Sequence, residues 1–269
     1  MKNHLFLGLI ITSAFLSNCN SKDDNDFVEE STAKKTLLSK VTTVYYDNPN
    51  NPETTVSTLS YNDNGQITGS ESAGRTSTFE YDASGKPIKT NYYKADKTLE
   101  YYAAYTYNGE QLTSTKAIYT NPAFNRTISY SYDSTGKLSK TSLCQSENCT
   151  NPSTNSYNYA GDNISVETTV SAGTINYSYK TESSYDDKLN PYNNVNKYLR
   201  IMMGGAYALS KNNFSSAKNF YKDSDGSWVQ NGNITYTAQY NDANFPVQVV
   251  GKDANGNNYV QYHYEYVTR

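Results

Sequence analysis

The feature that most restricts what this chain can fold into is a short turn motif repeated along most of its length. It reads YNDNGQI from Tyr61, YDASGKPI from Tyr81 and YDSTGKL from Tyr132, with shorter copies YNGEQL from Tyr107, YAGDNI from Tyr159 and YNDANFPV from Tyr240. The fuller copies place a tyrosine first, then Asp or Asn, then a Gly turn and an apolar residue. Asp and Asn start turns by bonding their side chains to nearby backbone, and Gly supplies the positive φ that such turns require. Each copy therefore predicts the tip of a hairpin. The tyrosines at 61, 81, 107, 132 and 159 stand some 20 to 27 positions apart, so each interval is one hairpin.

The flanking segments alternate between apolar and polar residues. In RTISYSY, Ile128, Tyr130 and Tyr132 share one side; Val260, Tyr262, Tyr264 and Tyr266 do so in YVQYHYEY, opposite Gln261, His263 and Glu265. Leu99, Tyr101, Ala103, Tyr105 and Tyr107 line up in the same way, as do Ile175, Tyr177 and Tyr179. Period-two alternation predicts half-buried antiparallel strands. The expected fold is all-β: an antiparallel up-and-down meander of ten or more strands, curling into a barrel or strongly curved sheet because a flat sheet that large leaves long edges. Tyr130, Tyr177 and Tyr264 are predicted on the enclosed side, with Ser129, Asn176 and His263 in solvent. Buried tyrosine hydroxyls need partners, so the enclosed side should be partly polar. An interior filled with tyrosine predicts binding at a rim or on the outer face.

Composition narrows function by exclusion. There are 28 tyrosines against one tryptophan and eight phenylalanines, 18% charged residues and a formal net charge of -3. Such a chain carries no basic patch, so nucleic acid is not an expected partner. Its aromatic content is too high and too regular for disorder.

The N-terminus reads as an address. Lys2 precedes the apolar run LFLGLIITSAFL at 5–16, which is signal-peptide length and short of the roughly 20 residues that span a bilayer. Leu16-Ser17-Asn18-Cys19 resembles a bacterial lipobox, which implies cleavage before Cys19 and a lipid on its sulfur. The following NSKDDND resembles the acidic export tag of Bacteroidota surface lipoproteins. The expectations are a signal peptide over 1–18, an acidic disordered linker over 19–35, a single β-meander domain over 36–269, and display on the outer membrane. With Cys19 lipidated, Cys144 and Cys149 remain, flanking the short QSEN. A disulfide between them suits an oxidising compartment.

The Tyr-Asp units resemble, in shorter and degenerate form, the repeats of RHS proteins. The chain as a whole is similar to a family of Bacteroidota lipoproteins with a porin-like fold, through YDDKLNPYNN at Tyr185, SKNNFSSAK at Ser210 and the C-terminal run from Tyr240. The resemblance implies fold more than function, and the family supplies no catalytic residues to carry over. Alternation places Ser, Thr, Gln and Glu opposite the tyrosines, a surface suited to water and not to the apolar band of a membrane barrel.

Candidate sites are few. The segment from Asp186 to Ser216 breaks the hairpin rhythm and holds the longest apolar run after the leader, NKYLRIMMGGAYALS. It reads as a loop or short helix plugging one end, or as a binding lip with Met202, Met203 and Tyr207 exposed. KDSDGSW around Asp223 and Asp225 lacks the later ligands of a calcium loop, so no metal is expected, and no cofactor is implied. His263, the one histidine after the leader, alternates onto the polar side and assembles no catalytic set. The expected function is non-enzymatic: a cell-surface binding or scaffold module for a glycan or an outer-membrane partner. The alternative is a hydrolase, such as a glycosidase built on two distant carboxylates.

Overall fold

The computed structural model describes residues 34–146, 148–171 and 176–269. The leader, Cys19, the acidic stretch to residue 33 and Ile175 lie outside the described residues.

Sixteen strands run in chain order: β1 (Thr36–Tyr45), β2 (Glu53–Tyr61), β3 (Ile67–Ser72), β4 (Arg75–Tyr81), β5 (Pro87–Tyr93), β6 (Leu99–Asn108), β7 (Gln111–Tyr119), β8 (Arg126–Tyr132), β9 (Leu138–Cys144), β10 (Ser153–Ala160), β11 (Asn163–Ser171), β12 (Tyr177–Leu189), β13 (Asn212–Lys222), β14 (Trp228–Tyr240), β15 (Pro246–Lys252) and β16 (Asn258–Thr268). Every strand pairs with its neighbours in sequence, and β1 pairs antiparallel with β16, closing the barrel. Closure leaves no strand edge open to another chain. Beyond that last ladder, Lys35 and Arg269 exchange two backbone hydrogen bonds of 2.6 and 3.1 Å.

The motif chemistry is visible at the four tips that follow Tyr61, Tyr81, Tyr132 and Tyr240. The Asp82 carboxylate accepts from the amides of Ser84 and Lys86, both at 2.9 Å, while Gly85 takes φ +80°. Asn62, Asp133 and Asn241 clamp their turns in the same way. These exposed bonds hold the Asp82 and Asp133 carboxyls below their ordinary values, chiefly through the hydroxyls of Ser84 and Thr135.

The motif tyrosine acts one unit away. The β7–β8 ladder begins at the Ser114–Ser129 pair, two residues past Leu112. There the Tyr132 hydroxyl donates to the Leu112 carbonyl at 2.8 Å. The same bond, at 2.6 to 2.7 Å, runs from Tyr61 to Leu38, Tyr81 to Ile67, Tyr107 to Pro87, Tyr185 to Ile164 and Tyr266 to Pro246. A buried carbonyl at the end of a ladder needs a donor, and a tyrosine pointing inward from the next hairpin supplies it. At Tyr61, Tyr81, Tyr107 and Tyr132 the repeat thus uses the hydroxyl that phenylalanine lacks, and these units are pinned to the one before.

Between β12 and β13 the tight turn is replaced by residues 190–211, which carry helices α1 (Lys197–Met203) and α2 (Gly205–Leu209). This segment plugs the end of the barrel that carries the motif turns. Its Leu199, Tyr192 and Val195 pack against inward Leu38, Val41, Leu59, Ile67 and Phe79. Its Tyr198 and Ala206 pack against Leu112, Tyr130, Leu138, Tyr157 and Ile164. Arg200 fastens the plug to itself: its guanidinium donates to the carbonyls of Ala208, Leu209 and Ser210 at 2.6 to 3.0 Å and of Asn193 at 3.3 Å. Burial lowers its pKa to about 10. The core is therefore the half of the interior around the plug.

The outer wall carries charge along its length. Lys40 pairs with Glu265 at 2.7 Å and Lys89 with Glu80 at 3.1 Å, and Lys116, Lys140 and Lys218 are exposed. One Lys facing the middle of a bilayer costs roughly 2–4 kcal/mol, so these exposed charges disfavour contact with lipid tails.

Candidate binding site at the open mouth

The sequence places two kinds of loop at opposite ends. The motif turns, the plug, Lys35 and Arg269 lie at one end. Among the described residues, the other end carries loops 46–52, 73–74, 94–98, 120–125, 223–227 and 253–257, and the residues on either side of 147. The inward residues near this second rim form the candidate site.

On one side of it, Tyr92, Tyr101 and Tyr119 form a cross-strand row over β5, β6 and β7. Their rings stack at 4.3 and 4.5 Å between centroids, close to the spacing of neighbouring strands. Arg126 approaches the Tyr119 ring at 6.0 Å, and Arg75 pairs with Glu100. Burial and the neighbouring Tyr119 raise Tyr101 to about 12, with Arg75 and Arg126 pulling the other way. These rings cover one another's faces, so what they turn toward the interior is edges and hydroxyls.

Across the mouth the rings are more exposed, although Tyr177 and Tyr179 pack at a tilt, 5.1 Å between centroids. Thr169, Tyr179 and Tyr221 form another row over β11, β12 and β13. Thr169 shares its side of β11 with Glu167, whose carboxylate accepts the Ala206 amide of the plug at 3.0 Å; that side is the interior. Tyr177, Tyr179 and Tyr221 nevertheless expose 41%, 47% and 36% of their surface, against 7% for Tyr130 and 4% for Tyr157 beside the plug. Tyr45, inward like buried Val41 and Thr43, exposes 41%. Inward-facing rings this exposed mean that solvent enters the barrel at this end. A sixteen-strand barrel is wide enough to keep a wet lumen where nothing fills it.

Two expectations are corrected here. Tyr177 is not buried, because the plug that covers Tyr130 does not reach its end of the strand. The interior is not filled by tyrosine throughout; it is filled at one end and open at the other. Tyr264 is half-buried and packed on the core, while Ser129, Asn176 and His263 are exposed.

Outside this row, at the lip, the β1–β2 loop and the β15–β16 turn border an open pocket of about 480 Å³. It is lined by Tyr46, Asp47, Pro49, Asp253, Asn257, Asn258 and Tyr259. The Tyr46 amide donates to the Tyr259 carbonyl at 3.1 Å, and its hydroxyl to Gln261 at 3.2 Å. Sequence reasoning missed this pocket. The adjacent Tyr45-Tyr46 was its available signal, since successive strand residues point one ring inward and one outward.

The residues singled out from sequence fall elsewhere. Met202, Met203 and Tyr207 are half-buried against the core side of the plug, so they do not form an exposed lip. Tyr207 packs edge-on to Tyr192 at 5.8 Å. Cys144 and Cys149 are bonded, with Cα atoms 5.0 Å apart, in the open-end loop after β9. Asp223 and Asp225 accept the amides of Ser224 and Ser227 at 2.7 and 2.8 Å and serve their turn. Glu167 is the inward carboxylate nearest the plug; burial raises its pKa.

Residues 61–96 match the RHS repeat family. No curated protein sequence matches the chain. Among solved structures, the chain is similar to a porin-like protein from Bacteroides uniformis at 14% identity, with 86% of this chain and 96% of that chain covered and a TM-score of 0.55. It is also similar to a porin-like protein from Bacteroides vulgatus at 14% identity, covering 87% and 99% with a TM-score of 0.42. A third similarity is to the Photorhabdus luminescens Tc holotoxin pore at 13% identity, covering 83% of this chain and 11% of that chain, with a TM-score of 0.34. The chain thus has a porin-like barrel fold built on RHS-type Tyr-Asp repeats.

Proposed function

We propose that this protein is a non-enzymatic barrel, tethered to the outer membrane by a lipid on Cys19, that binds glycan at its open mouth. The observation that carries the reading is the asymmetry of the interior. Inward tyrosines are buried around the plug and exposed at the opposite rim, as a one-ended receptor requires. Exposed aromatic rings beside Ser, Thr and Asn suit sugar rings, which present apolar faces and hydroxyl edges. The tether fits the same geometry. Lys35 lies at the plugged end, and residues 20–34 reach at most about 50 Å when extended, so the mouth points away from the membrane. The charged outer wall keeps the barrel out of lipid, and the porin-like structural relative accords with an outer-membrane setting. A glycosidase works through two converging carboxylates, whereas inward Glu167 is spent on holding the plug.

The test is a glycan array probed with the soluble barrel from residue 34. Binding is expected, and a Tyr179→Ala, Tyr221→Ala double variant should lose it while melting as before. Unaltered binding by that variant removes the mouth from the reading. In intact cells, Cys19→Ala should release the protein from the membrane fraction, and external protease should cleave the wild type. Retention of the variant refutes the lipid tether.

A further inference from the structure

The pocket at the lip goes further than the mouth itself. We propose that the open pocket between Tyr46 and Tyr259 is a subsite for a neutral pyranose and selects uncharged over acidic glycans. This rests on the glycan reading above and assigns its specificity. The volume, about 480 Å³, lies within the range of small-ligand pockets and holds one or two sugar rings. The Tyr46 backbone N–H donates to the Tyr259 carbonyl and its hydroxyl donates to the Gln261 side chain, which holds the ring, so an aromatic wall exists before any ligand arrives, which lowers the ordering cost of binding.

The polar groups divide into two sets. Asp253 is committed to its turn: it accepts from the amides of Asn255 and Asn257 at 2.9 Å and from the Asn257 side chain at 3.3 Å. Asp47 and Asn258, by contrast, make no side-chain hydrogen bond among the described residues. An ionised carboxylate only accepts, through two oxygens, and so pairs with two neighbouring sugar hydroxyls; the Asn258 amide both donates and accepts. With Asp47 and Asp253 on the same wall, a ligand carboxylate meets like charge, which disfavours uronates. The position adds a route. Tyr45, next in the chain to Tyr46, points into the mouth, so a glycan seated at the lip continues toward the exposed rings inside.

The experiment is saturation-transfer NMR and calorimetry on the barrel of residues 34–269, which contains the whole closed sheet and both core clusters. The probes are neutral trisaccharides (maltotriose, cellotriose, mannotriose) and a trigalacturonate. Neutral probes should bind and the uronate should not. Asp47→Asn should weaken neutral binding by about tenfold or more, the scale of one lost charge-assisted contact, and Tyr259→Ala, which removes an aromatic wall, by about tenfold, with melting temperatures unchanged. Asp47→Asn should also narrow the discrimination against the uronate, which a merely structural role would not do. Neutral binding that survives both substitutions, or equal binding of the uronate, overturns the subsite. If Tyr179→Ala with Tyr221→Ala abolishes binding and the lip variants do not, the mouth reading stands and the subsite falls. If none of the probes binds and the array is blank, both fall.

Discussion

Replacing Tyr132 by Phe tests why the repeat is written with tyrosine. The substitution keeps the ring and removes one oxygen, so no cavity forms. What is lost is the 2.8 Å bond to the Leu112 carbonyl. Leu112 is fully buried, at 0% exposure, and its carbonyl lies beyond the start of the β7–β8 ladder. Leaving a buried acceptor unpaired costs about 1–3 kcal/mol. For a domain of this size, 1 kcal/mol shifts the melting temperature by roughly 2–4 °C, so Tyr132→Phe should melt about 2–12 °C lower and show an earlier urea midpoint with an unchanged slope. Two controls separate the bond from the ring. Tyr159 occupies the same motif position but makes no such carbonyl bond among the described residues, and Tyr102 lies on the outer wall with Lys89 5.1 Å from its ring. Both Tyr→Phe controls should stay within about 0.5 kcal/mol of wild type. If Tyr132→Phe is indistinguishable from them, the hydroxyls do not pin the repeats and the account of the motif is wrong.

Other consequences are as specific. Glu110, in the β6–β7 turn, ties that turn to Tyr198 and Lys197 of the plug and to Lys86 of the β4–β5 turn, and these partners, Lys86 first, hold its carboxyl at about 2. Its folded value is depressed, so its contribution is complete above the ordinary value near 4.5 and fades as pH falls toward 2. The melting difference between wild type and Glu110→Gln should shrink over that window, and a difference independent of pH argues against the tie. A Cβ added at Gly251 would lie 2.8 Å from the Tyr236 ring and 3.0 Å from Val260; Gly251→Ala should destabilise by about 1–3 kcal/mol through overpacking, and a wild-type urea midpoint contradicts that. Replacing Cys144 and Cys149 by Ser should cost about 2 kcal/mol, since the closed loop is short. Free thiols at both positions in protein from its native compartment rule the disulfide out.

Local chemistry was legible in the sequence, because a hairpin tip depends on its own few residues. Asp82 and Gly85 specify one turn without help from the rest of the chain, and period-two alternation places Tyr130 inward and Ser129 outward. Antiparallel order followed from those tips, and curling from the cost of edges in so large a sheet; that the ring closes, through the β1–β16 pair, was decided by the tertiary structure. The interruption of the rhythm after Asp186 marked a plug. The sequence could not say how far the plug reaches, since that depends on Tyr198 meeting Leu112 and Leu199 meeting Leu38, residues more than 80 positions apart. Alternation records which side of a strand a residue takes, not what stands opposite it across the barrel. Tyr130 and Tyr177 therefore read alike in sequence, and only the tertiary structure separates them: one faces the plug and the other faces water. The lip pocket escaped for the same reason, since Asp47 and Asn258 are brought together by the β1–β16 pair, the contact that closes the ring.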